Sequence, residues 1–244
     1  MRSAFRQDTP TYPFEWDELP VGEAMQKALS QVCDEFSQRI FGYYFVKLGN
    51  LSSQIALPKC QIRQQIHYTQ TAISGSHVMG HSHSLPFQEN AIDGFLLANE
   101  LDFAQDPHQV LREVDRTITG SGYVIITGFN PLSLAGLVKY SPFKPSSPLK
   151  EARFFSVARI KDWLHLLGFE IVEQQYLLPS TLFFSSEKSV MRQSKWVNTY
   201  LPWTGSMYVI LARKREFPMT LVKPKWKMKP RFSAVGASAR QIPS

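Results

Sequence analysis

The densest chemistry in the sequence follows an apolar run. In IDGFLLANELDF (92–103), Asn99, Glu100 and Asp102 come directly after a strand-like stretch. A carboxylate at the end of a buried strand can take a proton from a nucleophile held within hydrogen-bond reach, so Glu100 and Asp102 are candidate general bases, read as acids on an exposed loop. Asn99 could orient a substrate through its amide, but its position favours a helix or turn cap. A second group is the HxxxHxH of His77, His81 and His83. Imidazoles suit zinc, but this loop supplies no cysteine or carboxylate to complete a site, so no metal is assigned. Farther on, Phe129, Asn130 and Arg153 are candidate substrate contacts. An arginine can grip an anionic group with two parallel hydrogen bonds, and its bland alternative is a surface position. Cys33 and Cys60 have no histidine at a recognisable spacing, so neither a thiol nucleophile nor a disulfide framework is expected.

These residues need elements to hold them. Val21 to Ile40 places apolar residues at helical spacing. Short β-prone runs follow at Tyr43–Leu48, Gln61–His67, Ser76–Gly80, Ile92–Leu97 and Gly122–Gly128. Asp106 is an N-cap candidate with Pro107 behind it, opening a helix over Pro107–Ile118 that Gly120 to Gly122 should end. On that helix Arg112, Glu113 and Arg116 read as solvated. Phe155–Leu167 is a further amphipathic helix that Gly168 would stop. Phe169–Tyr176 and Met207–Arg213 are the last strands. Alternating β and α patterns imply a doubly wound α/β domain: a mainly parallel seven-stranded sheet with helices on both faces. The expected organisation is an irregular leader at 1–20, a domain at 21–216 with an aromatic insertion at 177–206, and a basic, disordered tail at 217–244.

Composition bounds the function classes. The chain has 244 residues, 43% hydrophobic, enough for one sizeable core. No run of 18 apolar residues suggests a membrane span, and the amino terminus lacks a secretory apolar segment, so a cytoplasmic location is expected. Six of the seven net positive charges belong to residues 223–244. The domain therefore does not read as a nucleic-acid surface, whereas KPKWKMKPRF in the tail could touch anionic lipid or nucleic acid, or simply stay solvated. The oligomeric state is left open.

Three segments in order, VMGHSHSLPF, ENAIDGFLLANELDF and DPHQVLREVDRTITGSGYVIITGFNPLSLAG, together with ARFFSVARIKDWLHLLGFEIVE at 152–173, resemble the type-11 group of S-adenosylmethionine-dependent methyltransferases. The likeness extends over roughly residues 21–213. It implies a Rossmann-like fold, S-adenosylmethionine as cofactor and a small-molecule acceptor. By position it implies cofactor contacts at Lys47, Leu48, Gly49, Asn50, Leu51, Ser82, His83, Leu85, Leu97, Ala98 and Asn99. Asp93 would serve loop and strand architecture.

The sequence departs from that family pattern at the cofactor loops. The first loop, acid-x-Gly-x-Gly-x-Gly in the family, reads KLGNLSS here. Lys47 stands at the acid, and Leu51 and Ser53 stand at the later glycines. Leu51 is expected to crowd a ligand that a glycine would admit. No acid lies between Gln61 and Ser76 to hold the ribose, and His81 and His83 occupy acid positions before LPF. Two readings follow: a methyltransferase with a changed cofactor loop, or a non-catalytic descendant that binds a ligand or a protein.

Overall fold

Strand period assigns the residues to two faces of one sheet. The computed structural model describes residues 12–72, 75–139, 148–178 and 205–215. Along β1 (Tyr44–Leu48) and β4 (Ile92–Ala98), Phe45 and Leu96 join one apolar cluster while Val46 and Leu97 join another. That alternation is the two-residue repeat of extended chain. The first cluster buries Met25, Leu29 and Phe36 of α1 (Gly22–Ser37). The second buries Val110, Leu111 and Val114 of α4 (Pro107–Thr117) and Ile160 and Leu164 of α6 (Val157–Leu166). Each such side chain contributes about 1.5–3 kcal/mol on leaving water, so both sheet faces are held by helices.

The remaining strands are β2 (Gln64–Thr69), β3 (Val78–Met79), β5 (Ile118–Phe129), β6 (Phe169–Leu177) and β7 (Met207–Lys214). Their order in the sheet is β3-β2-β1-β4-β5-β7-β6. The first five strands run parallel, and β7 runs antiparallel to both β5 and β6. The sheet is thus the expected doubly wound one, mixed at one edge. Strand order reverses between β1 and β4, and a crevice opens outside carboxyl ends at such a switch.

Two helix starts follow their sequence signals. The Asp106 carboxylate accepts from the His108 and Gln109 amides at 3.0 and 3.2 Å, and Ser156 Oγ accepts from the Arg159 amide at 3.3 Å. The glycines at 120–122 do not form the expected turn. They lie inside β5, where an irregularity in pairing between Ile92 and Gly94 takes up the extra residues. Three short helices were not anticipated: α2 (Asn50–Ser53), α3 (Glu100–Phe103) and α5 (Leu134–Lys139).

The described part of the leader is tied to the domain. Trp16 is buried in the first cluster, and its Nε1 donates to the Leu51 carbonyl at 3.1 Å. Most of the aromatic insertion (179–204) and the tail (from 216 on) lie outside the described residues. Among the described residues, no helix is long and apolar enough to cross a membrane.

Candidate cofactor site

Gly49 ends β1 and turns the chain into α2. Its φ of 98° lies where a side chain is strained. Its amide donates to the Tyr68 carbonyl of β2 at 2.8 Å, which fixes the turn to the neighbouring strand. Ser52 Oγ donates to the Leu48 carbonyl at 2.6 Å and accepts from the Ala98 amide at 2.7 Å, so α2 is braced across β1 and β4. Asn50 reaches the exit of β2: its Oδ1 accepts from the Gln70 amide and its Nδ2 donates to Thr71 Oγ1.

The two substitutions expected to spoil this loop point elsewhere. Leu51 is fully buried in the α1-side cluster, so its side chain packs into the core rather than crowding the crevice. Lys47 shares the strand face of Phe45, and its Nζ donates to the Ile55 carbonyl at 2.8 Å. Burial lowers the Lys47 pKa below the ordinary lysine value. Leu48, Leu85 and Leu97 pack in the second cluster and Ala98 in the first.

A cavity of about 130 Å³ lies at the carboxyl ends beside this turn. Phe103, Ala104 and Val110 give it apolar walls. Tyr12, Gln70, Ser82, His83 and Asp106 give it polar ones. Ser82 and His83, cofactor contacts by the resemblance, line this cavity. Gln70 stands at the exit of β2, where the family's ribose acid is missing. Neither Gln70 nor Tyr12 was singled out from sequence. The histidines split into two pairs: the rings of His67 and His77 lie 4.9 Å apart, and His81 stacks on His83 at 5.2 Å. Among the described residues no group of three or more His, Cys, Asp or Glu could hold a metal.

The acids after β4 are not exposed. Glu100 is completely buried. Its Oε2 accepts from the Tyr12 hydroxyl, its Oε1 accepts from Gln70 Nε2 at 3.4 Å, and Ser82 hydrogen-bonds the same carboxyl group. Burial raises its pKa, and those three neutral partners pull it back down. A Cβ on Gly49 would collide with this carboxylate and with the Tyr12 hydroxyl. Asp102 is equally buried. Its Oδ2 accepts from Asn99 Nδ2 at 2.9 Å and from the Phe129 amide at 3.1 Å, while Oδ1 has no hydrogen-bond partner among the described residues. Burial pushes its pKa up to about 8, against hydrogen bonds from Asn99 and Phe129 and the charges of Lys139 and Arg153. At neutral pH it therefore holds a proton rather than accepting one.

The other candidates brace the rim. Asn99 sits in the left-handed region at φ 53°, a conformation asparagine tolerates, and its Oδ1 accepts from Thr127 Oγ1 at 2.9 Å. Phe129 is buried between Phe103 and Phe154. Asn130 Nδ2 donates to the Gly205 carbonyl at 2.8 Å. Arg153 donates to the Ala104 and Gln105 carbonyls. Asp93 accepts from the Tyr43 and Tyr44 amides, the architectural role expected of it. Glu113 and Arg116, read as solvated, instead clasp the LPF loop: Glu113 accepts from the Leu85 amide, and Arg116 donates to the Leu85 and Phe87 carbonyls, each at 3.0 Å.

Comparison with known proteins agrees with this architecture. A family model described as "Methyltransferase domain" matches residues 53–126. The uncharacterized protein YafS of Escherichia coli (strain K12) is 34% identical over 242 residues, covering 98% of this chain and 97% of that one. Among solved structures, an S-adenosylmethionine-dependent methyltransferase of Thermotoga maritima superposes with a TM-score of 0.58 at 21% identity, covering 80% of this chain and 91% of its own. The [4+2]-cyclase SpnF superposes with a TM-score of 0.57 at 16% identity, covering 87% and 86%. At such identities these two structures speak for the fold. By its near-full-length match to YafS the chain belongs to the same family as YafS, and its strand order and superpositions give it the fold of S-adenosylmethionine-dependent methyltransferases.

Proposed function

We propose that the chain is an S-adenosylmethionine-dependent methyltransferase acting on a small molecule, with its cofactor at the carboxyl ends of β1, β2 and β4. The observation that carries this reading is the cavity beside the Gly49 turn, at the point where strand order reverses. Its residues fit the nucleoside half of the cofactor. Phe103 and Val110 offer apolar faces to a purine, and the Gln70 amide and Ser82 hydroxyl offer hydrogen bonds at its edge. A cavity of about 130 Å³ is smaller than the roughly 300–1,000 Å³ of pockets for drug-sized ligands. The rest of the ligand would need the space against Gly49 now taken by Tyr12 and Glu100, so the whole cofactor fits once the Tyr12 ring withdraws and the Glu100 carboxylate swings aside.

When bound, the cofactor supplies a methyl group already activated on a sulfonium. The chain then has mainly to align the acceptor and keep water out. Phe103, Phe129 and Phe154 form an aromatic wall suited to that second task. Asn130 and Arg153, occupied with backbone carbonyls, act as braces of the acceptor side rather than as its ligands. Burial raises the pKa of both Asp102 and Glu100, and only Glu100 is opposed by three neutral side-chain donors, Tyr12, Ser82 and Gln70.

Thermal unfolding of the full chain with S-adenosylmethionine and S-adenosylhomocysteine tests the proposal. Either ligand at 100 times its Kd adds about 2.7 kcal/mol to a native state that binds it alone. No stabilisation by millimolar concentrations of either would overturn the reading and favour a non-catalytic binding module. The SpnF likeness is a reminder that this fold also carries other activities.

A further inference from the structure

We propose that Glu100 is the carboxylate that receives the cationic methionine end of the cofactor, and that the Tyr12 hydroxyl holds it while the cofactor is away. The inference rests on the methyltransferase reading and adds a residue role to it.

Position is the first argument. The family pattern places an acid on β1, but here that position is Lys47, whose ammonium lies on the α1 face and is engaged by the Ile55 carbonyl. Glu100 comes from α3 at the end of the adjacent strand, and its carboxylate lies where a Cβ on Gly49 would sit, beside the cavity-lining Tyr12. It thus stands against the one glycine retained in the cofactor loop.

Burial without a cation is the second. Among the described residues no lysine or arginine forms an ion pair with Glu100; Tyr12, Gln70 and Ser82 are all neutral donors. A carboxylate taken out of water is costly unless paired with opposite charge, and such unpaired groups collect at binding sites. The neighbouring acids cannot substitute for it: Asp102 is bound to Asn99 and Phe129, and Asp106 caps α4.

Exchangeability is the third. Tyr12 is not part of the sheet or of any helix, and its ring rests edge-on against Phe103 at 5.6 Å. A charge-assisted hydrogen bond from an ammonium is roughly twice as strong as one from a neutral donor. An incoming cation therefore displaces the phenol, and the vacated volume extends the cavity toward Gly49.

The test is calorimetric titration of the full chain with three ligands: S-adenosylmethionine, S-adenosylhomocysteine and 5′-methylthioadenosine, the last having the nucleoside but neither cationic group. Wild-type protein should prefer the first two over the third by about tenfold or more. Glu100→Gln should erase that preference while binding methylthioadenosine within about twofold of wild type. Tyr12→Phe should tighten S-adenosylmethionine several-fold, because the phenol then no longer competes for the carboxylate. A preference that survives Glu100→Gln overturns the inference, as does an equal loss for all three ligands, which marks a structural role. If Glu100→Gln does not fold, Tyr12→Phe decides: unchanged or weaker S-adenosylmethionine binding overturns the inference. A wild type that binds all three ligands equally refutes this assignment alone. A wild type that binds none refutes the methyltransferase reading with it.

Discussion

At the scale of single residues, Asp102 has the largest measurable consequence. Its carboxyl titrates near 3.8 when unfolded and at about 8 when folded, because burial disfavours the charge. Below pH 4 both states hold the proton and the group is neutral to stability. As pH rises, the unfolded chain ionises first, so the fold loses stability from about pH 4 until the native group ionises near 8, at a slope approaching about 1.4 kcal/mol per pH unit. Asp102→Asn has no such titration. The difference in unfolding free energy between variant and wild type should therefore grow in the variant's favour between pH 4 and 8. Denaturant melts at several pH values measure it, and a constant difference would refute the shifted titration. Sequence placed Glu100 and Asp102 correctly next to a strand end but gave their exposure wrongly. A four-residue helix with no periodic signature turns both inward, and nothing in the local pattern announces it. Gln70 and Tyr12 carried still less signal: one follows a polar strand, and the other lies among prolines.

At the scale of elements, caps and periodicity were reliable and the loops were not. Asp106 and Pro107 marked the start of α4, and the helix began there. Glu113 and Arg116 on the same helix looked solvated because spacing alone cannot show that the LPF loop folds back over them. Their clasp makes a local prediction. Arg116→Ala removes hydrogen bonds to two carbonyls and the 2.8 Å ion pair with Glu113, and should cost about 1–3 kcal/mol. Hydrogen exchange should show it first at the Leu85 amide, which Glu113 holds. Unchanged protection there would show that the loop needs no clasp. Because the same loop brings Ser82 and His83 to the cavity, any nucleoside bound there on the proposed reading should be held more weakly in parallel.

At the scale of the whole molecule, alternation of β and α patterns was enough to give the fold, since hydrophobic faces of period two and period 3.6 leave few ways to cover one sheet. What alternation could not give was the path of residues 12–20 along the carboxyl ends. Trp16 anchors that path in the core. Trp16→Ala should cost about 3–5 kcal/mol in unfolding free energy, far more than expected for a loose leader, and chemical denaturation reads it directly.

The antiparallel edge has one further consequence. Leu177 pairs with Met207, and Met207 pairs with Phe129 at the exit of β5. The chain between β6 and β7 thus leaves and rejoins the sheet at the rim of the crevice. A graft of foreign sequence between those two anchors would leave the register of all three strands untouched. On the proposed methyltransferase reading, exchanging that one connection would vary the acceptor side without rebuilding the strands that carry the cofactor site.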